Sequence, residues 1–389
     1  MGNCVRLCSV GDLMICDSPL YVSVGVGTNY SKIKGRLFAD CNQIFEDSDF
    51  VIGNFEGCFY EPKKQSLDEL QMSCDESILS DLSEIGFNIL NFANNHCMQH
   101  GVSAFLNADK LCKENGIKAL GYKNECPYVV KINDMEFVFL SLCLHYERYD
   151  PDHILYEDNI IRIFSEVKEQ RKKRPDCIII LSVHWGDEFA TYPSNSQIML
   201  GHKFADAGVN IILGHHSHVF QGIEKYKNTV IAYGQGNFVS DMKPVQCRET
   251  AIVTFNIADS ENIDYELHPF YINNNFVPES AGAEWFAKRQ NEMKNALSGN
   301  ITDSMYWEQI MKNHRHSHSV FRDYFMSHLT KYRLSISLKM IMDFAKRKIH
   351  RASRNSTFGV NGSYDPEIYK ALELIHSNGY TDQLGGNYG

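Results

Sequence analysis

Short apolar runs alternate with helical patterns between about residues 5 and 271. This alternation predicts stacked βα units around a largely parallel sheet, which is an α/β fold. Strands are predicted at residues 6–10, 50–53, 87–92, 137–142, 177–183, 209–213 and 229–233. Helices are predicted between them at residues 75–85, 102–114, 158–172 and 196–207, each with polar residues at one end and glycine or proline near the other.

The pattern changes after residue 249. Segments 251–256 and 264–271 alternate apolar and polar positions, as expected for antiparallel strands that close the sheet. Beyond residue 277 the apolar spacing is helical, as in Phe321, Phe325 and Leu329, and in Leu334, Leu338, Ile341 and Phe344. We therefore predict an α/β domain at residues 1–275 and a mostly helical C-terminal extension with a flexible tail at residues 276–389.

Composition is that of an ordinary folded protein. Of 389 residues, 43% are hydrophobic and 22% are charged, and the formal net charge of −10 disfavours general binding to nucleic acid. The 12 cysteines include no CxxC pair, which indicates reduced thiols. There is no signal-peptide pattern and no apolar run of the roughly 20 residues that a membrane span requires. The expected location is therefore cytoplasmic, without a transmembrane segment.

Polar side chains follow four of the predicted strands. His216 and His218 lie in the sequence GHHSH after one strand, and His184 ends another. Asp12 follows the first strand, and the pair Asn95 and His96 follows a fourth. Because α/β sheets bind ligands outside the carboxyl ends of their strands, these groups are expected to share one site.

The types of side chain indicate a metal site. Asp12 offers a hard oxygen ligand, and alternation along an extended segment places Asn54 and Glu56 on one face. Asn94 and Asn95 precede His96, so an amide oxygen lies beside an imidazole. Mixed imidazole, amide and carboxylate ligands suit Mn, Fe or Zn, and the absence of cysteine at these positions disfavours a closed structural zinc site.

The order of these motifs resembles that of a known family. The chain has a strand-ending GD, then NxE, ANNH, HWGD and GHHSH, followed by Tyr233, Gly236, Asn237 and Phe238 in a YxxGNF element. This order is similar to that of the CapA family of capsule and poly-gamma-glutamate biosynthesis proteins, which looks like an offshoot of the calcineurin-like metallophosphoesterases. The resemblance covers residues 7–241 and does not cover the helical extension.

The resemblance implies a four-layer α/β/β/α sandwich with two divalent metal ions, Mn, Fe or Zn, at the strand ends. Glu56 would bridge the two ions, and His96 would contact the substrate or protonate the leaving oxygen. The implied metal ligands are Asp12, Glu56, Asn95, His184, His216 and His218.

Other residues near these motifs are given supporting roles. Trp185 is expected to shape the pocket wall, and Asp187 to orient a ligand imidazole, whereas Glu188 is expected in a solvated loop. His215 is expected to support its neighbours rather than bind metal. Together the predicted supporting or substrate-contacting residues are Asn54, Asn94, Trp185, Asp187, His215 and Asn237.

Two positions depart from the family pattern. Met14 stands where the phosphoesterases have the histidine of a DxH motif, which removes one ligand from one metal ion. Gln99 stands where the family usually has an aspartate after ANNH, and His100 is a potential substitute for it. These departures leave metal identity, metal occupancy and catalytic strength open.

Three interpretations of function remain. The first is a hydrolase of a phosphoester or of an anionic cell-envelope polymer. The second is a non-catalytic or weakly catalytic capsule biosynthesis component that binds polymer or a synthase partner, which the 11 Lys and Arg against 4 Asp and Glu in residues 301–354 support. The third is a structural metal fold that mediates interactions only. Loops 60–72 and 146–156 are expected to select the substrate, which would be anionic.

Overall fold

A computed structural model describes residues 4–64, 66–145, 160–342, 372–375 and 377. The predicted loop 146–156, Phe344 and the predicted flexible tail lie outside the described residues, apart from the few described positions between 372 and 377. The strands are β1 (Val5–Leu13), β2 (Phe50–Phe55), β3 (Cys58–Phe59), β4 (Ser73–Cys74), β5 (Ile89–Asn91), β6 (Lys118–Leu120), β7 (Tyr128–Ile132), β8 (Met135–Cys143), β9 (Ile178–His184), β10 (Ile211–His215), β11 (Phe220–Tyr226), β12 (Thr229–Gln235), β13 (Asn237–Val239), β14 (Glu249–Ile257), β15 (Ile263–Ile272) and β16 (Pro278–Ser280).

Each helix of the α/β region lies between strands, and the later helices follow β16. The helices are α1 (Val26–Ile33), α2 (Asn42–Glu46), α3 (Leu67–Leu70), α4 (Ser77–Glu84), α5 (Val102–Glu114), α6 (Ile160–Lys173), α7 (Asn195–Ala207), α8 (Glu284–Leu297) and α9 (Asp303–Ser327). The four predicted helices correspond to α4, α5, α6 and α7. Helix α7 begins at a capping box, in which the Ser194 side chain accepts a hydrogen bond from the Gln197 N–H.

The strands form two large sheets. The first has the order β16-β15-β14-β1-β2-β5-β6, with β13 also paired to β1, and the second has the order β11-β12-β10-β9-β8-β7. Strands β1, β2, β5 and β6 are parallel, as are β8, β9, β10 and β12. Strands β14 and β15 are antiparallel to their neighbours, as the alternation of segments 251–256 and 264–271 predicts.

Three hydrophobic cores separate four layers. Apolar side chains of both sheets, such as Leu7 and Phe50 from the first and Ile180 and Leu213 from the second, pack together in the inner core. One outer core joins the first sheet to α1, α2, α4 and α5, and the other joins the second sheet to α6 and α7. The α/β/β/α sandwich is therefore confirmed.

The strand register brings the polar strand ends together. In the first sheet Asp12 pairs with Asn54, which pairs in turn with Asn91. In the second sheet His184 pairs with His215. Because parallel strands run in the same direction, these ends meet at one edge of the sandwich.

The C-terminal helices pack on the sandwich. The Gln290 side chain of α8 accepts a hydrogen bond from the Ile223 N–H and donates one to its carbonyl. Residues 334–342 are helical as predicted, but Leu334, Leu338 and Ile341 are exposed and Ile336 and Met340 are buried instead. The boundary near residue 275 stays a prediction. No helix within the described residues is long and apolar enough to cross a membrane.

Candidate metal centre

The turn at the end of β10 contains residues 215–218 and is called here the HHSH turn. His216 and His218 have φ angles of 88° and 55°, in the left-handed region that side chains other than glycine rarely adopt. Such a conformation costs on the order of 1–3 kcal/mol per residue and is concentrated at functional sites. Gly214 precedes the turn, and a Cβ at this residue would lie 2.1 Å from the Tyr233 carbonyl oxygen. The backbone is therefore strained at His216 and His218, and only glycine fits at residue 214, directly before the turn.

Asp12, Glu56 and His218 form the first cluster. Their ligand atoms all lie within 4.8 Å of one another, and all three residues are buried. Asp12 Oδ2 and Glu56 Oε2 have no hydrogen-bond partner, although Asp12 Oδ2 lies 3.3 Å from His218 Nδ1. Buried carboxylate oxygens without hydrogen bonds are costly unless a cation is close to them. This donor set therefore fits a divalent metal ion.

The pKa shifts in the first cluster also favour a bound cation. Burial and the neighbouring Asp12 carboxylate raise the pKa of Glu56 well above its usual value. Burial also opposes ionisation of Asp12, but the adjacent imidazoles of His215 and His218 outweigh it and lower the Asp12 pKa. Burial disfavours protonated His218, yet Glu56 and Asp12 together raise its pKa to about 10. A cation beside the two carboxylates would take over the charge that His218 supplies here.

Asn95, His184 and His216 form the second cluster. His184 Nε2 lies 3.0 Å from Asn95 Oδ1 and 3.1 Å from His216 Nδ1. Two ligands bound to one ion at about 2.1 Å, at right angles, are separated by roughly 3 Å. His184 Nε2 thus has the spacing to each of the other two donor atoms that ligands sharing one ion would have.

The imidazoles of the second cluster are in the state that binds metal. Burial lowers the pKa of His184 well below its usual value, and the same cause dominates for His216. Both rings are therefore neutral at physiological pH. A neutral imidazole has the lone pair that a transition metal requires.

Glu56 connects the two clusters. Its Oε1 accepts a hydrogen bond of 3.0 Å from Asn54 Nδ2 and lies 3.6 Å from His184 Nδ1. Asn54 Nδ2 also donates to Asp12 Oδ1 at 2.8 Å, so this one amide orients both carboxylates. Glu56 thus lies beside both clusters, but it faces His184 Nδ1 and not the Nε2 that contacts Asn95 and His216, so its bridging role stays a prediction.

Neighbouring side chains hold these groups in place. Asn237 Oδ1 lies 2.9 Å from His218 Nδ1, and His215 Nδ1 lies 3.1 Å from Asp12 Oδ1. Asn94 donates to the Phe55 carbonyl at 2.8 Å, and its Oδ1 accepts from the backbone N–H of His96. Asn94, His215 and Asn237 therefore contact the predicted ligands or the segments that bear them.

His96 is half-buried at the entrance to the second cluster. Its Nδ1 lies 2.9 Å from Gln99 Oε1, and it is close enough to His216 to lower the pKa of that imidazole slightly further. Gln99 therefore orients His96 without the charge of an aspartate. The substitute role considered for His100 is wrong, because its Nε2 lies 2.8 Å from the Gln71 carbonyl oxygen and its ring stacks on Tyr60.

Trp185 faces away from the site, and Asp187 contacts α9. Trp185 is completely buried in the outer core of the second sheet, and its Nε1 donates to the Tyr233 carbonyl at 2.8 Å. The prediction that Trp185 shapes the pocket wall is wrong, because adjacent residues of an extended segment point to opposite faces and His184 faces the site. Asp187 accepts a hydrogen bond from the Tyr306 hydroxyl at 3.1 Å and so connects α9 to the loop after β9.

His145 is a further histidine at the site that was not predicted from the sequence. The ring of His145 lies 3.6 Å from that of His216 and 5.9 Å from that of His184, measured between centroids. Its Nε2 is buried without a hydrogen-bond partner, and burial lowers its pKa to about 4. The available signal was the position of His145 two residues after β8, a parallel neighbour of β9.

Glu188 is closer to the site than its predicted place in a solvated loop implied. It is half-buried, and its charge raises the pKa values of Glu56, His145 and His218. Glu188 therefore contributes negative charge to the site instead of lying in a fully solvated loop. Its neighbour Phe189 packs 6.5 Å from the His218 ring and 4.9 Å from the ring of His314 in α9.

Comparison with known proteins identifies a matching family. The model described as "Bacterial capsule synthesis protein PGA_cap" matches residues 6–242, more than half of the chain. The chain is 26% identical over 329 residues to "Capsule biosynthesis protein CapA" of Bacillus anthracis, with 79% of this chain and 77% of that protein covered. It is 31% identical over 250 residues to "PGA biosynthesis protein CapA" of Bacillus subtilis, covering 61% of this chain and 65% of that protein.

Solved structures give weaker similarity. A novel phosphatase from Mycoplasma pneumoniae superposes with a TM-score of 0.42 at 16% identity, covering 74% of this chain and 98% of that one. A 5'-nucleotidase from Candida albicans gives a TM-score of 0.38 at 11% identity, covering 82% of this chain and 58% of that one.

Proposed function

Because the chain belongs to the bacterial capsule synthesis family PGA_cap, we propose that it is a metal-dependent hydrolase of a phosphoester or of an anionic cell-envelope polymer. Asp12, Glu56 and His218 would hold one divalent cation. Glu56 would share a second cation with the second cluster. Donors of this mixture suit Mn, Fe or Zn.

One observation carries the proposal. Six donor side chains from both sheets converge into two clusters, and Glu56 lies beside both clusters. In a protein that used this fold for interactions alone, burying two carboxylates and several imidazoles together would lower stability, and no bound cation would compensate for it. The strained HHSH turn that presents two of the imidazoles supports the same conclusion.

The chain's own residues would orient the substrate and move a proton. Bound cations would supply an activated water and positive charge for the oxygen that develops charge in the reaction. His96 is placed beside the second cluster with its Nδ1 against Gln99, and we assign its Nε2 as the ring atom that would protonate a leaving oxygen. The neutral Gln99 stabilises protonated His96 less than a carboxylate would, so we expect modest proton donation.

The substrate class is inferred from the names of the relatives. The related Bacillus proteins are named for capsule and PGA biosynthesis, and similar Mycobacterium tuberculosis proteins are called probable polyglutamine synthesis accessory proteins. We infer that an anionic polymer or a phosphorylated precursor of one is the substrate. A polymer synthase is the expected partner.

Metal content tests the proposal directly. Purified wild type, His216→Ala and the control His202→Ala would be loaded with Mn, Fe or Zn and measured by mass spectrometry, followed by phosphomonoester and phosphodiester hydrolysis. His202 is a half-buried histidine that contacts Glu224 instead of the site, so it controls for loss of an imidazole.

We expect about two metal ions per wild-type chain, fewer in His216→Ala and no change in His202→Ala. Hydrolysis should disappear with the metal. Wild-type protein that binds no transition metal would refute the metal site. Full metal content without hydrolysis of any tested ester or of a poly-gamma-glutamate chain would refute the catalytic function.

A further inference from the structure

We propose that a basic cavity beside α9, separate from the metal centre, binds a segment of an acidic polypeptide chain through its carboxylates. The cavity lies between α1, segment 243–248, the turn at residues 274–276 and the second half of α9. The inference rests on the proposed function for the identity of the polymer, but the cavity and its charge are independent of the metal site.

The cavity is large and positively charged. Its volume is about 1120 Å³, above the roughly 300–1,000 Å³ typical of small-molecule pockets. Its lining carries five Lys or Arg side chains and a histidine against one acid, Asp323, in a chain whose net charge is −10. The basic lining residues are Lys32, Arg36, Lys243, Arg248, His328 and Lys331. Positive charge concentrated against the overall charge of a protein indicates an anionic ligand.

Three of these cations form no ion pair with another described residue. Among the ion pairs between described residues, none includes Lys32, Arg36 or Lys331. The one lining acid, Asp323, instead lies 3.0 Å from Arg322. The exposed part of the cavity therefore presents positive charge that is available to a ligand.

The inner wall carries two cations that are fixed in position. Lys243 Nζ lies over the ring of Phe276 at 4.1 Å and near that of Tyr324 at 5.4 Å. Arg248 packs over Tyr271, and its Nε donates to the Ile272 carbonyl at 2.6 Å. Burial lowers the pKa of Lys243 to about 8, an effect that Arg248 adds to and the buried Asp241 opposes. An anion between the two cations would relieve their repulsion.

The lining favours a polypeptide over a nucleic acid. Lys243 already occupies the faces of Phe276 and Tyr324, so these rings do not offer the open stacking surfaces that single-stranded nucleic acid uses. Asn29, Asn274 and Asn275 also line the cavity, and their amides can both donate to and accept from peptide groups. Carboxylates and amides in alternation, as in a glutamate polymer, match this mixture of donors.

The same chain segment connects the cavity to the metal centre. Asn237, which contacts His218, precedes Lys243 by six residues, a span of at most about 20 Å even when fully extended. Asn237 Nδ2 also donates to the carbonyl of Cys247, next to Arg248. A polymer held at Lys243 would therefore lie within roughly 20 Å of Asn237, which contacts the proposed ligand His218.

Binding of a decamer of gamma-linked glutamate to the full chain tests the proposal, measured by isothermal titration calorimetry. The cavity variant combines Lys32→Gln, Arg36→Gln and Lys331→Gln, all at exposed positions, so folding is preserved. The control combines Lys172→Gln, Lys288→Gln and Lys294→Gln, which removes the same charge at exposed positions outside the cavity lining. His216→Ala is measured in parallel.

We expect the decamer to bind the wild type, the dissociation constant to rise at least about tenfold in the cavity variant, and the control to change less than about twofold. Binding should persist in His216→Ala, so loss of the metal site and loss of the cavity are distinguishable. The proposal is overturned if the wild type does not bind or if both triple variants weaken binding equally. It is also overturned if inorganic phosphate displaces the decamer at equal concentration, or if a ten-nucleotide single strand binds equally well with the same sensitivity to the cavity variant.

Discussion

The imidazole of His145 lies against that of His216, with ring centroids 3.6 Å apart and planes inclined by 34°. His145 Nε2 is buried without a hydrogen bond, while burial keeps both rings neutral. Stacking of neutral imidazoles gives little compensation for an unpaired buried nitrogen. We therefore expect His145 to contribute to the metal environment of the second cluster.

Replacement of His145 by Gln should weaken transition-metal binding at the second cluster by about 10–100-fold, the usual effect of removing a group that supports metal ligands. Competition with a chelator of known affinity measures the change. His268→Gln is the matched control, because His268 is half-buried and lies 3.0 Å from Thr254 Oγ1, on a different strand pair. Unchanged metal affinity in His145→Gln would assign His145 a packing role only.

Substitution of Gly214 by Ala should distort the HHSH turn. The added Cβ would lie 2.1 Å from the Tyr233 carbonyl oxygen, so the backbone must move, at a cost of about 1–3 kcal/mol in the free energy of unfolding. Metal content should fall as well, because His216 and His218 follow directly. Gly35→Ala is the control, since a Cβ there meets no atom within 4 Å. Urea unfolding measures the stability of both variants, and mass spectrometry measures their metal content. Equal stability and equal metal content in the two variants would contradict the close approach of Gly214 to the Tyr233 carbonyl.

The buried Asp241 should make stability depend on pH. Its carboxylate accepts hydrogen bonds from the Ser18 N–H and hydroxyl, yet burial raises its pKa to about 7. Since the folded-state pKa exceeds the unfolded value, the stability contributed by protonated Asp241 is fully present below about pH 4 and is lost as pH rises through 7. The loss could reach about 4 kcal/mol at 1.36 kcal/mol per pKa unit.

Asp241→Asn should therefore gain stability relative to wild type as pH rises from 4 to 8, as measured by urea unfolding at several pH values. Asp323→Asn, at an exposed position, should follow the wild-type curve. A constant difference between Asp241→Asn and wild type across this range would show that Asp241 is ionised throughout.

Trp185→Phe should lower stability without changing substrate affinity. The variant loses the hydrogen bond from Trp185 Nε1 to the Tyr233 carbonyl, worth about 1 kcal/mol, while Gln197 Nε2 still donates to that oxygen at 3.2 Å. Thermal unfolding and KM for any substrate identified above provide the two readouts. A changed KM with unchanged stability would restore Trp185 to the pocket wall.

Apolar periodicity predicted the α/β elements, the family resemblance implied the sandwich, and the strand ends predicted the neighbourhood of the predicted ligands. The runs before Asp12, His184 and His216 have the length and β-branching of buried parallel strands, and their ends must meet because the strands are parallel. Their roles as ligands stay predictions. The short strands β3, β4, β6, β13 and β16 were missed because two or three residues carry no detectable period, and the longer strands β7 and β11 were missed as well.

The other differences between the sequence predictions and the structure also have physical causes. His145 is a single histidine after an apolar run, and no neighbouring residue gives it a recognisable spacing. Trp185 was misassigned although alternation from His184 already places it on the opposite face. Leu334 and Leu338 show that a helical period predicts the helix but not which face packs, since Ile336 is the buried residue there.

Helix α9 contacts the ligand-bearing edge at two separated points. Near its start the Gln309 and Asn313 side chains donate to Thr191 and to the Phe189 carbonyl in the loop after β9, and further along Phe321 packs against Tyr21 in the segment after β1. During synthesis these residues leave the ribosome after every proposed metal ligand. The nascent α/β region would therefore expose its ligand edge until α9 docks, so the order of translation itself sets when this edge becomes enclosed.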